Sequence, residues 1–473
     1  MKLIVTNSYC LLKTTDRALG RKLDQRTSYK VAGYVWSEAY RRGGWDGKEH
    51  LCKTVKGGIR FPVGLIQDVL QVLENLGAKV EVEDRRRESA GARLNLLWHR
   101  EDIELRPYQQ EAVDSVFEDR GFATGKGLLN LPTRSGKTVI AAAIIHRLDR
   151  PALFIVPADL LLKQAADFFE TVFRVPVGRY GGGDKEIRPI TVASVQSLMR
   201  GIERPEVRRL LESVDLVFFD EVHHVQGQKF RDVLMACDAF YKVGLSATIF
   251  LTRKGENETG TIHLKGATGR ILYTITPSYL IEHGFLVQPT IELYRVTEPD
   301  LHGYSWSEEL YSRAIADCDS FNSRVIRLTK EALRERGYRT ALIPCKRIEH
   351  AEKLHTLARH HGLKSLVLIG PTPASARAAA IGSLRRGELE VLIGTIFGEG
   401  VDIPEVDCVV NAEGLKSRVA ALQRLRNLTP SEGKDGALVI DFMFMTNRYL
   451  TDHSLARLKE YKRHGAFRLV VVE

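Results

Sequence analysis

The chain has few cysteines and no long apolar run. Its six cysteines lie at positions 10, 52, 237, 318, 345 and 408, and no two of them have the spacing of metal ligands. Such a scatter is typical of a reduced, intracellular protein without a zinc site. No apolar stretch approaches the roughly 18 residues of a membrane span, and the apolar start turns polar at Thr6, too soon for a signal peptide. We therefore expect a soluble, cytoplasmic protein that contacts no membrane.

The composition excludes general disorder, because 44% of the residues are hydrophobic and 27% are charged. A length of 473 residues is too great for one hydrophobic core and predicts two or three domains. The charge is uneven: residues 1–100 carry 19 basic and 11 acidic side chains and so hold +8 of the net +10. Such a field attracts a polyanion such as nucleic acid, although a basic surface that only aids solubility would have the same composition.

Residues 1–98 have the pattern of a small mixed domain. Apolar residues recur at helical spacing over 64–76, and short β-like runs flank glycine-rich turns at 3–5, 29–35 and 80–82. The charged stretch 84–93 then predicts an exposed linker.

From about residue 105 the chain alternates amphipathic helical stretches with short runs that are apolar throughout, as at 152–156, 216–219 and 391–393. Strands that are apolar on both faces are typical of parallel sheets covered by helices. The alternation over 105–273 and 320–445 therefore predicts two α/β domains. Residues 252–269 are expected to form a loop, and a basic helix and an apolar strand are expected over 453–463 and 469–472.

A phosphate-binding loop is indicated by residues 131–138, Leu-Pro-Thr-Arg-Ser-Gly-Lys-Thr, which stand between an apolar run and a helical stretch. Backbone N–H groups at such a helix start cradle phosphates, here through Thr133, Ser135 and Gly136. Lys137 would reach the β- and γ-phosphates of ATP, and the Thr138 hydroxyl would bind Mg²⁺. The strict pattern has glycine where this chain has Leu131, so the motif alone is only moderately specific.

Two carboxylates, Asp220 and Glu221, follow the apolar run 216–219. Carboxylates at the end of a buried strand are costly unless a cation lies beside them. The expected roles are Mg²⁺ binding for Asp220 and orientation or deprotonation of the attacking water for Glu221. With a phosphate loop about eighty residues upstream, the two motifs together are highly specific for nucleotide hydrolysis.

In this order the motifs resemble those of superfamily 2 helicases and translocases. Arg106 and Gln109 match the adenine-reading element, residues 156–164 match motif Ia, and residues 341–354 match motif IV. The resemblance implies contacts from Thr191 and Thr395 to the nucleic-acid backbone and from Gly400 and Asp402 to the nucleotide. It also implies that Ser246 and Thr248 couple hydrolysis to domain movement.

Motif VI departs from the family. The family pattern is Gln-Arg-x-Gly-Arg-x-x-Arg, whose two later arginines stabilise charge on the transferred phosphoryl group, whereas residues 423–430 read Gln-Arg-Leu-Arg-Asn-Leu-Thr-Pro. If one glycine is missing, Arg426 is the arginine finger and Thr429 replaces the second arginine. Without a gap there is no finger. We favour the gapped alignment, which makes Arg426 catalytic.

The first hundred residues narrow the resemblance to UvsW-type phage helicases, through residues 34–36, 43–48 and 61–65. That group acts on branched DNA. Trp36, Tyr40 and Trp45 are expected for the most part to fill the core of the small domain, because a domain of this size needs aromatic area. The basic residues Arg41, Arg42 and Lys48 are the expected phosphate contacts.

The sequence thus predicts an α/β protein of two RecA-like parallel-sheet domains in tandem plus a small α+β N-terminal domain. The predicted segments are a DNA-binding domain (1–98), a nucleotide-binding RecA-like domain (99–273), a second RecA-like domain (274–447) and a C-terminal helix and strand (448–473).

The predicted function is ATP- and Mg²⁺-dependent unwinding or branch migration of Holliday junctions, forks and D-loops in recombination, replication and repair. The setting would be the cytoplasm of a bacterium or of a phage-infected host, on DNA, with recombination or replication proteins as further partners. The alternatives are an RNA helicase, a restriction-type translocating subunit, or a DNA-binding protein that lost hydrolysis with motif VI.

Overall fold

The computed structural model describes the chain apart from residues 32, 89–92, 133, 158, 222–227, 247–255, 258, 398–405, 416–436, 464–466 and 473. The described residues form two compact units, Met1–Ile275 and Thr276–Glu473. In the described part of the chain, no helix has both the length and the apolar composition needed to cross a membrane.

The first unit opens with a small α+β domain, whose main sheet has the strand order β5-β6-β2-β1-β7. Buried apolar residues alternate with more exposed ones along β2, whereas β1 and β6 are buried at most positions, and all three strands pack against the apolar face of α3. The strands are β1 (Lys2–Val5), β2 (Tyr9–Lys13), β3 (Ser28–Val31), β4 (Lys48–His50), β5 (Lys53–Val55), β6 (Gly58–Pro62) and β7 (Glu81–Asp84). The helices are α1 (Arg17–Thr27), α2 (Glu38–Arg41) and α3 (Ile66–Asn75).

The rest of the first unit is built on a sheet of order β11-β10-β12-β9-β13-β14-β8-β16, in which only the β10–β11 pair is antiparallel. The strands are β8 (Lys126–Asn130), β9 (Ala152–Val156), β10 (Gly178–Gly181), β11 (Asp184–Lys185), β12 (Ile190–Ser194), β13 (Leu216–Asp220), β14 (Tyr241–Ser246), β15 (Glu256–Asn257), which pairs with β3, and β16 (Ile271–Thr274). The helices are α4 (Pro107–Phe117), α5 (Lys137–Leu148), α6 (Asp159–Phe173), α7 (Val195–Gly201), α8 (Pro205–Ser213), α9 (Gln228–Ala236) and α10 (Thr259–Thr268).

The second unit contains a parallel sheet of order β19-β20-β18-β21-β22-β17-β23. Its strands are β17 (Pro289–Val296), β18 (Ala341–Pro344), β19 (Ser365–Leu368), β20 (Val391–Gly394), β21 (Cys408–Val410), β22 (Ala437–Phe444) and β23 (Arg468–Val472). The helices are α11 (Pro277–Glu282), α12 (Glu308–Tyr311), α13 (Asp319–Arg334), α14 (Ile348–His360), α15 (Ala374–Arg385) and α16 (Arg448–Arg463). Because β23 pairs with β17, the C-terminal helix and strand belong to this sheet layer.

A buried ion pair fixes α16 to the second sheet. Arg457 Nε lies 2.9 Å from Asp441 Oδ2, and both side chains are almost fully buried. The Tyr461 hydroxyl and the Asn411 amide donate to the same carboxylate. Although burial acts to raise the pKa of Asp441, the Arg457 guanidinium holds it below its usual value. A buried charge pair is tolerated when its remaining lone pairs and protons are bonded in this way.

The small domain packs tightly on α10, in the stretch that the sequence predicted to be a loop. Residues 259–268 are helical, with Ile262 buried in the core of the small domain and Leu264 and Ala267 buried in the core of the parallel sheet. A Cβ atom added to Gly64 of the small domain would lie 2.4 Å from the carbonyl oxygen of Lys265. The loop prediction was therefore wrong for this part, because packing against the small domain outweighs the low helix propensity of threonine and glycine.

A second contact of the small domain involves a buried lysine. Lys242 on β14 is fully buried, and its ammonium donates to Ser8 Oγ at 3.0 Å. The Ser8 hydroxyl donates in turn to the carbonyl of Cys237 at 2.8 Å. Burial lowers the pKa of Lys242 from its ordinary 10.5 to about 8. At any pH at which Lys242 is protonated in the folded state, its buried charge therefore lowers the free energy of unfolding.

We predict that Lys242→Met stabilises the protein by about 2 kcal/mol at pH 7, because it removes a buried charge and leaves Ser8 Oγ bonded to Cys237. The gain should shrink as pH rises from 8 to 10, since the unfolded lysine stays protonated there while the folded one does not. Denaturant midpoints of the parent and the variant across this range measure the difference. Because burial and the Lys242 charge both lower the pKa of Lys126, the comparison is repeated in a Lys126→Met background. A pH-independent difference would contradict the prediction.

Candidate functional site

Three neighbouring strands of the first parallel sheet end at one edge. The order β13-β14-β8 places Asp220, Ser246 and Asn130 beside one another at the carboxyl ends of these strands. The residues that follow β8 form the loop that leads into α5, and Glu221 follows β13 directly. The edge therefore brings together groups that lie more than eighty residues apart in the sequence.

The loop before α5 has the backbone of a phosphate cradle. Gly136 caps the helix with φ 80°, and Arg134 also has a positive φ of 67°. The positive φ of Gly136 favours glycine, and a Cβ here would lie 2.3 Å from Gln109 Nε2 and would displace that side chain. The Ser135 hydroxyl is buried and has no hydrogen-bond partner among the described residues. An unsatisfied buried hydroxyl beside a free helix N-terminus fits a phosphate ligand.

The predicted catalytic lysine and glutamate are in direct contact. Lys137 Nζ lies 2.8 Å from Glu221 Oε1, and both side chains are mostly buried. The Ser246 hydroxyl donates to the other carboxylate oxygen, Oε2, at 2.9 Å. Glu221 itself has φ 50°, a conformation that costs a non-glycine residue of order 1 kcal/mol. Its amide donates to the Leu245 carbonyl at 2.9 Å, which helps to hold that conformation.

The two predicted Mg²⁺ ligands share a cavity. Thr138 and Asp220 line a space of about 220 Å³ together with apolar residues of β9 and α6. Throughout the described part of the chain, no three His, Cys, Asp or Glu side chains are clustered as a metal site. A hydroxyl and one carboxylate fit Mg²⁺, which takes most of its other ligands from phosphate and water.

Gln109 supports the phosphate loop. Its amide donates to the Ser135 carbonyl at 2.9 Å, and its carbonyl oxygen accepts from the Arg106 backbone at 3.0 Å. The Tyr108 hydroxyl donates to the same Ser135 carbonyl at 2.8 Å. The adenine contact of Gln109 stays a prediction. The hydrogen bond from Tyr108 to the loop was not predicted, although the Pro-Tyr-Gln sequence at the start of a helix could have indicated it.

Five predicted site residues, Thr133, Thr248, Gly400, Asp402 and Arg426, lie outside the described residues. Their roles stay predictions. Thr395 is half-buried at the carboxyl end of β20, where its amide donates to Leu368.

The predicted nucleic-acid contact of Thr191 is wrong in this structure. Thr191 is fully buried near the start of β12, away from the carboxyl edge. Its hydroxyl donates to the Arg188 carbonyl at 2.6 Å and accepts from the Arg188 amide at 2.9 Å. The match to the motif had the right strand, but the residue at its carboxyl end is Ser194.

The small domain exposes the predicted basic contacts unequally. Arg41 is exposed, and its guanidinium lies 5.5 Å from the centre of the Trp36 ring. Arg42 is exposed and paired with Glu38, and Lys48 is partly exposed on β4. The prediction that most of Trp36, Tyr40 and Trp45 fill the core is wrong, because Trp36 is 74% exposed and Tyr40 and Trp45 are half-buried outside the core cluster of the small domain.

Two family models match the chain. The model of the res subunit of type III restriction enzymes matches residues 102–251, and that of the helicase conserved C-terminal domain matches residues 323–426. With the two parallel sheets, these matches confirm the predicted resemblance to superfamily 2 helicases and the fold of two RecA-like domains plus an N-terminal α+β domain. The chain is an enzyme of the ATP-dependent helicase class.

Individual relatives fit this class. The ATP-dependent DNA helicase UvsW of Enterobacteria phage T4 is 22% identical over 482 residues, which cover 92% of this chain and 91% of that protein. The DNA 3'-5' helicase XPB of Mycobacterium tuberculosis is 27% identical over 72% of this chain and 60% of that protein. The solved helicase domain of Pyrococcus furiosus Hef, 18% identical, has a similar fold with a TM-score of 0.51, covering 76% of this chain and 100% of that domain.

We predict that Ser246→Ala lowers the maximal rate of ATP hydrolysis about ten-fold with little change in ATP affinity, because Glu221 loses the donor that orients its carboxylate. Ser246→Thr keeps the hydroxyl and should retain most of the rate. Ser213→Ala, at the end of α8, is the matched control. Steady-state phosphate release over a range of ATP concentrations measures both quantities. An unchanged rate in Ser246→Ala would show that this hydrogen bond has no catalytic role.

Proposed function

We propose that this chain is an ATP-dependent DNA helicase or translocase that unwinds or branch-migrates branched DNA in recombination, replication and repair. The observation that carries the proposal is the contact of Lys137 with Glu221 at the end of the phosphate loop, with Ser246 on the opposite carboxylate oxygen. Hydrolysis of a phosphoanhydride requires a cation that binds phosphate and a carboxylate that acts on the attacking water. Here a single hydrogen bond joins these two groups.

The residues divide this chemistry among them. The Gly136 N–H group and the buried Ser135 hydroxyl would bind the phosphates of ATP, since the Ser135 amide donates to the Pro132 carbonyl at 3.2 Å. Lys137 would neutralise charge on the β- and γ-phosphates. Glu221 would orient the attacking water. Mg²⁺, when bound, would neutralise phosphate charge, and Thr138 and Asp220 are the residues that would hold it.

The ion pair places two complementary groups side by side. Lys137 donates to Glu221 and, at 3.3 Å, to the Leu131 carbonyl. A bound phosphate would take the Lys137 ammonium as a partner, and the adjacent Glu221 carboxylate would act on the attacking water.

DNA is supported as the substrate by two observations. The basic excess lies in the N-terminal hundred residues, and the similarity to the phage T4 DNA helicase covers 92% of the chain, which includes most of that segment. The match to the res subunit of type III restriction enzymes keeps a translocating restriction subunit as the second candidate. ATP hydrolysis measured with a Holliday junction, blunt duplex, single strand and RNA separates these functions. Greater stimulation by RNA than by any DNA would overturn the proposal.

We predict that Lys137→Ala and Glu221→Gln both abolish ATP turnover but differ in ATP binding. Loss of the Lys137 charge removes a phosphate contact, so nucleotide affinity should fall at least ten-fold. Glu221→Gln keeps the size of the side chain and removes only the charge that activates water, so ATP should still bind. Binding of a fluorescent ATP analogue and phosphate release measure the two effects. Near-normal turnover in Glu221→Gln would refute its assigned role.

We predict that Arg426→Ala reduces DNA-stimulated hydrolysis at least ~100-fold while DNA binding stays nearly intact, since in the gapped alignment Arg426 alone can stabilise charge on the γ-phosphate. Arg424→Ala is the comparison, because Arg424 matches the earlier arginine of the motif and should lower stability as well. Hydrolysis at close to the parental rate in Arg426→Ala would favour the alignment without a gap, with Arg418 or Arg424 as the finger or none. A parent that hydrolyses no ATP on any nucleic acid would favour the binding-only alternative.

A further inference from the structure

The small domain displays one tryptophan almost entirely to solvent. Trp36 ends a 3-10 turn, Tyr34–Trp36, and is 74% exposed, the highest exposure of any large hydrophobic residue among those described. The turn is closed by hydrogen bonds from the Trp36 amide to Gly33 and from the Ser37 amide to Tyr34, both at 3.0 Å. The closed turn therefore holds a rigid aromatic side chain with most of its surface in water, where it is available for contact.

The neighbouring aromatic residues have structural roles that Trp36 does not share. Tyr34 lies directly against Gly47, where an added Cβ would be 2.2 Å from the ring, and its ring meets Tyr40 edge-on at 4.7 Å. The Trp45 indole donates to the Lys48 carbonyl at 2.7 Å. These contacts hold the turn in shape without any contribution from the Trp36 side chain.

The surroundings of Trp36 are predominantly basic. Arg41 covers part of the indole and donates from Nε to the Val35 carbonyl at 3.2 Å. Lys30 lies 5.7 Å from the centre of the Tyr34 ring. Of the nearby acids, Glu38 pairs with Arg42, and Asp46 binds His50 and the Lys48 amide. An exposed aromatic face beside an arginine complements a polyanion that carries flat bases.

We propose that Trp36 stacks on an unpaired nucleobase and that Arg41 contacts the adjoining phosphate, so that the small domain binds single-stranded DNA at the branch point of a fork or junction. The inference deepens the proposed function and rests on it for the choice of DNA. With 74% of Trp36 exposed despite Arg41, one face of the indole remains open for a base. Bases paired within a duplex are already stacked and cannot use it.

The test compares DNA binding of the full chain with that of Trp36→Ala, Trp36→Tyr and Arg41→Ala, without ATP and over a range of salt concentrations. The DNA molecules are a fork with two unpaired arms, a single strand and a blunt duplex. Trp36→Ala should bind the fork and the single strand about ten-fold more weakly and the duplex almost normally. Its salt slope should be unchanged, whereas Arg41→Ala should reduce the slope by about one.

Two variants serve as controls. Trp36→Tyr keeps an aromatic face and should bind within about three-fold of the parent. Leu97→Ala removes another exposed apolar side chain, 64% exposed, and should change binding to none of the three DNA molecules. Trp36→Ala should melt at the parental temperature, since the exposed indole makes no hydrogen bond among the described residues.

Two results would overturn the stacking proposal. An equal loss on fork and duplex would show that Trp36 acts on something other than unpaired bases. If Trp36→Ala loses affinity for none of the three DNA molecules, the surface around Trp36 would instead be assigned to a protein partner. A parent that binds the fork through Trp36 but shows no DNA-stimulated ATP hydrolysis would instead overturn the proposed function, so the two failures are distinguishable.

Discussion

The contact between Lys137 and Glu221 depends on one geometric constraint, the common edge at which parallel strands end. The two residues are 84 positions apart, and only the adjacency of β8, β14 and β13 brings them within 2.8 Å of each other. Each charge compensates the burial of the other. In the proposed mechanism the lysine binds phosphate and the adjacent carboxylate acts on water, so this one edge would supply both groups.

The small N-terminal domain is part of the same compact unit as the nucleotide site. Gly64 allows its backbone to lie against α10, and Ser8 receives the buried Lys242 ammonium at 3.0 Å. The proposed DNA surface on this domain would therefore be fixed to the parallel sheet whose strand β8 leads into the loop before Lys137. Removing the domain would expose Lys242 and its surroundings to solvent. Single substitutions of charged or aromatic residues therefore test the proposed DNA surface better than a truncation does.

The motifs that could be predicted are local ones. Residues 131–138 and the pair Asp220 and Glu221 each have a pattern that identifies their chemistry within a few positions, and the structure brings Lys137, Glu221 and Ser246 together. Two of the errors concern burial. Thr191 matched a motif but is enclosed at the wrong end of its strand, and Trp36 was expected among the core aromatics but is exposed. Neither pattern contains information on which neighbours will cover a side chain.

The sequence by itself determined the alternation of buried strands and amphipathic helices, the phosphate loop and the uneven charge, because each depends on residues close together in the chain. Only the tertiary structure decided that residues 259–268 form a helix, that Ser246 bonds to Glu221 and that Lys242 is enclosed against Ser8. These outcomes depend on contacts between segments far apart in sequence. The free energy of such contacts exceeds local propensity, which is the physical reason that local patterns could not predict them.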